Sequence, residues 1–253
     1  MQHYSNMKTN KNLIGRGIRE YTPYADEVKL SKECGYDFNQ VWFYKGDMLI
    51  GDKDIVDKAA YIKSFNYPII IHAMWTLDDF TTHGDKLLEL VRYFGHKEVI
   101  VHPTGTFNGT PEAANLKLKQ LLTDLNNKLK KMGARLYVEN NSRPNVLNCT
   151  ASQIKTVLES GAELLIDTGH IDSYEHLAEI LKVRRPSCLH LANKFFVHGH
   201  EHLPLRSGEI DLKLLFTKYF KNYSGRIIVE VSNDFATNKD FLESKQALDE
   251  IFL

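Results

Sequence analysis

The chain has 253 residues and 43% hydrophobic content, enough to bury one large core and typical of a single α/β barrel. Lys+Arg and Asp+Glu are equal at 32 each, so no overall field draws in nucleic acid or an acidic membrane surface. Cys34, Cys149 and Cys188 are far apart and form no CxxC, which argues against a disulfide frame or a thiolate zinc site and for a reduced, cytoplasmic protein.

Residues 1–12 form a polar tail without the apolar region of a signal peptide, and no later run approaches the ~20 apolar residues of a membrane span. From residue 13 to 253 short β-type runs alternate with segments of helical period, the pattern of a parallel sheet with crossover helices. Leu13 to Ile18 reads as the first strand, followed by a helix over Tyr24 to Cys34 that stops at Gly35. Val41 to Tyr44 is the second strand, with a helix over Asp54 to Phe65. Tyr67 to His72 is the third, with a helix over Asp85 to Phe94, and Glu98 to His102 is the fourth. The next helix places Leu118, Leu121, Leu122, Leu125, Leu129 and Met132 on one face, with Pro111 in its first turn and Gly133 as its stop. Arg135 to Glu139 is the fifth strand, and Ser152 can cap the helix after it. Glu163 to Asp167 is the sixth, with Ser173 capping a helix to Val183. Cys188 to Leu191 is the seventh, with a long loop and a helix over Leu212 to Phe220. Arg226 to Val231 is the eighth, and the closing helix covers Lys239 to Phe252. Eight such units predict a single (β/α)₈ TIM barrel, and the absence of GxGxxG after the first strand disfavours a doubly wound sheet.

In such barrels the active site forms at the C-terminal strand ends. Six predicted strands there end in a metal-competent side chain: His72, His102, Glu139, Asp167, His190 and Glu230. His170 and the cluster His198, His200 and His202 lie in loops above the same rim, so seven of the eleven histidines gather there. A lone strand-end histidine or glutamate is ordinarily a hydrogen-bonded rim residue, but carboxylates facing one another in a buried rim repel unless cations sit between them. The set as a whole therefore predicts a site for a borderline divalent metal, with zinc or manganese as the ions expected to restore activity after chelation. His200 and His202 have a spacing that can chelate one ion, leaving His198 spare.

The order His72-Ala-x-Trp75, His102-Pro103, Glu139-Asn140, Asp167-Thr-x-His170, His190-Leu-x-Asn193, His200-x-His202 and strand-end Glu230 resembles the endonuclease IV branch of the xylose isomerase-like TIM barrels. The resemblance implies nine metal ligands and two or three zinc ions. Glu139 would bridge a first ion held by His72 and His102 and a second held by Asp167, His190 and Glu230; His170, His200 and His202 would hold a third. Trp75 falls where that branch keeps a tyrosine that enters DNA. The chain departs from the branch at His200 and Asn193, where relatives carry aspartate. The segment from His202-Leu-Pro-Leu to Gly208 is closer to the sugar isomerase and epimerase relatives.

Two mechanisms follow from one rim. In phosphodiester hydrolysis, with a small phosphoester, sugar phosphate or abasic DNA as substrate, metal-activated water attacks phosphorus and Glu139 orients or deprotonates it. In the isomerisation or epimerisation of a sugar, Glu139, Asp167, His190 and Glu230 bind one ion while Glu139 and Glu230 move the proton. The number of histidines favours hydrolysis, because a mononuclear site leaves most of them unused. Trp75 and Phe107 are the rim aromatics expected to meet substrate, and Lys194, Arg206 and Arg143 are the cations expected to grip a phosphate.

Overall fold

Side chains on a strand alternate between its faces, so each strand of a closed barrel sends every second residue inward. The computed structural model describes residues 12–252 apart from 106, 108, 143–146, 199–200 and 233–235. Its strands are β1 (Leu13–Gly17), β2 (Phe38–Tyr44), β3 (Asp47–Leu49), β4 (Ile69–Trp75), β5 (Glu98–Pro103), β6 (Arg135–Glu139), β7 (Glu163–Asp167), β8 (Cys188–Leu191) and β9 (Arg226–Val229). All except β3 run parallel to their neighbours, the pairing of β1 with β2 closes the ring, and β3 folds back antiparallel on β2. The crossovers carry α1 (Tyr24–Cys34), α2 (Lys58–Ser64), α3 (Asp79–Phe94), α4 (Pro111–Lys131), α5 (Ala151–Leu158), α6 (Tyr174–Val183), α7 (Leu212–Leu214) and α8 (Asn238–Phe252). The result is the single (β/α)₈ TIM barrel expected from the alternation. Among the described residues no helix is long and apolar enough to cross a membrane.

The lumen is built in layers. Phe38, Ile70, Ile100, Tyr137, Leu165, Cys188 and Ile228, one from each of β2 and β4 to β9, form a buried inner cluster. β1 contributes Gly15, in register with both Phe38 and Ile228. A Cβ there would fall 2.4 Å from the Phe38 ring, so the glycine leaves the volume that Phe38 fills. Residues of the opposite parity, such as Ile71, Val99, Val138, Ile166 and Leu189, face the helices and join the main core. Two residues beyond the inner cluster along the strands come His72, His102, Glu139, Asp167, His190 and Glu230. The strand period thus lifts six metal-competent side chains into the lumen above an apolar floor.

Several elements differ from the sequence expectation. β2 begins at Phe38, three residues before the predicted start, because Asn39 and Gln40 are polar yet wholly buried. α3 begins at Asp79, whose carboxylate accepts from the Thr76 N–H and hydroxyl; the polar turns before Asp85 hide that start. The cap of α5 is Thr150, not Ser152: Thr150 Oγ1 accepts from Gln153 N, and Gln153 Oε1 accepts from Thr150 N, a reciprocal pair. The predicted helix over Leu212 to Phe220 is a single α turn that widens into a π-helical turn over Leu215–Tyr219.

Candidate active site

Seven side chains of the rim meet inside the barrel. Glu139, His72, His190 and Asp167 are wholly buried, and Glu230, His102 and His170 are nearly so. Glu139 is central. Its Oε2 lies 3.2 Å from His72 Nε2 and 3.3 Å from His190 Nδ1, and its Oε1 lies 3.7 Å from His102 Nδ1. His190 Nδ1 also lies 3.0 Å from Glu230 Oε2 and 3.8 Å from Asp167 Oδ2. These atoms are close, yet among the described residues both oxygens of Glu139 and both ring nitrogens of His72 and His190 lack an aligned hydrogen-bond partner. Buried polar atoms are ordinarily satisfied. Converging lone pairs of carboxylate and imidazole, buried and unshared, fit a divalent cation placed between them.

Four groupings bring ligand atoms within 4.8 Å of one another among the described residues. One holds four side chains, Glu139, Asp167, His190 and Glu230; the others are His72–Glu139–His190, His102–Glu139–His170 and Asp167–His170–His202. The first-ion set implied by the resemblance is divided: His72 falls with Oε2 of Glu139 and His190, His102 with Oε1 and His170.

Surrounding residues orient the rings. Asn141 gives its amide protons to the carbonyls of Pro103 and Leu147, so its Oδ1 faces His102 Nε2 at 2.7 Å as an acceptor. His102 Nε2–H is therefore donated to Asn141, and Nδ1 is turned to Glu139. His170 Nδ1 donates to the Asn140 carbonyl at 2.8 Å, which turns Nε2 toward Asp167 Oδ2 at 3.6 Å. Asp167 Oδ1 accepts from Gly169 N, leaving Oδ2 to His202 Nε2 at 2.9 Å. A Cβ on Gly169 would come within 2.6 Å of the Glu201 carbonyl, so only glycine lets the His202 loop close over Asp167. Gln40 Nε2 donates to Glu230 Oε2 at 2.7 Å.

Charge is arranged to suit a cation. Burial alone would push the Glu139 pKa up, but His102 and His190 outweigh it and hold the carboxyl well below the usual range. Burial likewise opposes ionisation of Asp167, and His170 and His202 overcome it. Burial disfavours charge on His190, but Glu230 and Glu139 hold its pKa well above the ordinary value; His202, beside Asp167, is raised to about 9 in spite of burial. Burial keeps His72 low and takes His170 to about 4. Without a metal, carboxylates here are balanced by protons on imidazoles.

Other residues expected at the site stand elsewhere. Trp75 has outward parity and is fully buried between Phe43 and Phe80, against the helices and away from the lumen. Lys194 is buried with Nζ tied to the carbonyls of Gly169 and Ile171, so it clamps the His170 turn. Arg206 is exposed and pairs with Glu250 on α8. Asn193, where relatives carry aspartate, uses its amide to close the loop: Nδ2 donates to the Leu205 and Ile210 carbonyls and Oδ1 accepts from Ile210 N. His198 is exposed and pairs with Glu201. Phe107 packs half-buried against the core. His200 and Arg143 lie outside the described residues. The sequence reading missed Gln40 and Trp42, which face the lumen from β2 because Phe38 does. Trp42 lays its indole over His72, ring centroids 4.7 Å apart, and donates Nε1–H to the Ile18 carbonyl.

A family model described as xylose isomerase-like TIM barrel matches residues 28–251. No curated protein sequence matches the chain. Solved structures do. An L-ribulose 3-epimerase is 15% identical with TM-score 0.73, over 96% of this chain and 95% of that one. The IolI protein with a bound zinc atom is 16% identical with TM-score 0.72, over 95% and 99%. A D-allulose 3-epimerase from Methylomonas sp., in complex with D-allulose, is 14% identical with TM-score 0.73, over 96% and 98%.

Proposed function

Because the chain belongs to the xylose isomerase-like TIM barrel family, we propose that it is a divalent-metal-dependent isomerase or epimerase of a sugar or sugar derivative. The observation that carries this reading is the convergence of Glu139, Asp167, His190 and Glu230 on one buried point, their ligand atoms within 4.8 Å. The epimerases among the structural neighbours support it at the level of the fold. So does the His202-Leu-Pro-Leu segment, which puts His202 beside Asp167. The preference accordingly moves from hydrolysis to proton transfer.

Glu139, Asp167, His190 and Glu230 would hold the ion, for which zinc is the first choice and manganese the second. The ion would polarise a carbonyl and its neighbouring hydroxyl, making the adjacent C–H acidic. Glu139 and Glu230 both approach His190 Nδ1, at 3.3 and 3.0 Å, and so flank the same point. One carboxylate takes the proton from the hydroxyl-bearing carbon while the C–H electron pair moves toward the carbonyl. The other returns a proton to the opposite face of that carbon, which inverts it; for isomerisation the proton goes instead to the former carbonyl carbon while the hydroxyl proton passes to the former carbonyl oxygen. Gln40 holds Glu230 in place for this exchange.

A multinuclear phosphodiester hydrolase is the second reading, favoured by the additional groupings around His102 and His202. Abasic DNA loses its expected contact, since Trp75 is buried on the outer face of the sheet. Ketoses incubated with the protein in D₂O and followed by NMR test the main reading. We expect deuterium at the carbon beside the carbonyl, abolished by a chelator and restored by zinc or manganese; hydrolysis of phosphodiesters without any exchange would replace it with the second.

A further inference from the structure

The proposed chemistry is carried by the β6 to β9 side of the rim and uses the β2 side only through the Gln40 amide that holds Glu230. Three residues meet there. Gln40 is wholly buried, and its Oε1 has no hydrogen-bond partner among the described residues. The orientation of its amide is fixed: the Glu230 carboxylate only accepts, so the NH₂ group must face it at 2.7 Å, and Oε1 is the atom left over. Trp42 is half-buried, its ring pinned by the Nε1 bond to the Ile18 carbonyl. Gly17, on β1, faces both. A Cβ there would lie 3.6 Å from Gln40 Nε2 and 3.7 Å from both Glu230 Cγ and Trp42 Cζ2, ordinary contact distances, so the glycine leaves room for a methyl-sized group beside the three side chains.

An unfilled buried acceptor costs free energy that a hydroxyl donor recovers, and an aromatic face is suited to the C–H surface of a carbohydrate. We propose that Gly17, Gln40 and Trp42 form a subsite for the hydroxylated carbon chain of the substrate: one hydroxyl donates to Gln40 Oε1 while the C–H face beside it rests on the Trp42 indole. The ligand class is a polyol chain, and the assignment rests on the sugar reading above. The same amide that reads the hydroxyl holds Glu230, so recognition and the proton-transferring carboxylate share one residue.

The probe is D-sorbitol, which has the polyol chain but no carbonyl and so is not turned over. Its binding to the metal-loaded protein is followed by tryptophan emission, for which Trp42 and the buried Trp75 are the two sources. We expect a saturable change in emission that is absent in Trp42→Phe, where Trp75 alone reports. Gly17→Ala, which fits without a clash, fills the space, and Gln40→Met removes the acceptor; each should weaken sorbitol binding about tenfold, the value of one lost hydrogen bond. With a ketose and its mono-deoxy analogues, the wild type should reject at least one analogue through KM by a similar factor, and Gln40→Met should no longer distinguish it. The subsite is overturned if sorbitol does not bind, if the emission change survives in Trp42→Phe, or if Gly17→Ala and Gln40→Met bind sorbitol as the wild type does. Sorbitol binding that responds to these variants in a protein showing no ketose exchange would keep the subsite and discard the chemistry.

Discussion

Individual side chains at the rim are tuned by neighbours that the sequence does not advertise. The Nε2 proton of His102 is set by Asn141 and that of His170 Nδ1 by the Asn140 carbonyl, two consecutive residues just past β6. The ligand types themselves were legible, because neutral imidazole and carboxylate at strand ends have few other reasons to accumulate. Their division into groupings was not, since it depends on which oxygen of Glu139 each ring meets. Glu139→Gln keeps the side-chain volume and removes both an anionic ligand and a base. Turnover should fall by a factor of about 10² or more while the thermal transition persists; a variant with full activity would take Glu139 out of the mechanism. The metal-free site also has a signed pH dependence. His202 rises from the ordinary 6.5 to about 9, so its contribution to stability is fully present below pH 6.5 and is lost as pH climbs through 9. A cation competes with those protons and binds more tightly as they leave. The stabilisation by added zinc, read as the difference in Tm between loaded and chelated protein, should therefore widen from pH 6.5 to 9. An increment independent of pH would mean that His202 and His190 carry no proton for the ion to displace.

At the scale of the element, the two-residue step of the strands decides what reaches the lumen. Ile70 and His72, Ile100 and His102, Tyr137 and Glu139, Leu165 and Asp167, Cys188 and His190, Ile228 and Glu230 are successive inward positions of six strands. That pattern could be read from the sequence wherever an apolar run ended in a ligand. It failed on β2, where two buried polar residues hid the start of the strand, and with it the inward parity of Gln40 and Trp42. Trp75 was misplaced for the complementary reason: proximity to His72 in the chain was taken for proximity in the lumen, although an odd offset sends the side chain to the other face. The packing of the floor can be tested directly. Gly15→Ala drives a methyl group into the Phe38 ring and should cost about 1–3 kcal/mol in urea unfolding. Adding Phe38→Leu should recover part of that loss, whereas an unchanged midpoint in Gly15→Ala would show that Phe38 does not fill the place assigned to it.

Across the whole molecule the barrel interior is stratified from end to end. At the mouth opposite the ligands, Glu98 accepts from Arg135, Arg226 and the Tyr137 hydroxyl; above this polar network comes the apolar floor, and above that the ligand rim. Conserving one end for stability and the other for chemistry is the general division of labour in this architecture. The barrel fold itself survives wide divergence, as the superposition on structures only 14–15% identical illustrates. It also explains why fold and rim were legible while the preferred chemistry was not: alternation and length dictate the barrel, but choosing between one ion and three requires distances among residues far apart in sequence. On the proposed reading, Glu139, Asp167, His190 and Glu230 hold a single divalent ion that activates a sugar. The decisive measurement is elemental analysis of the purified protein, loaded with zinc or manganese and freed of excess metal. One ion per chain, lost in Glu139→Gln, is expected; two or three tightly held ions, or none, would rule that reading out.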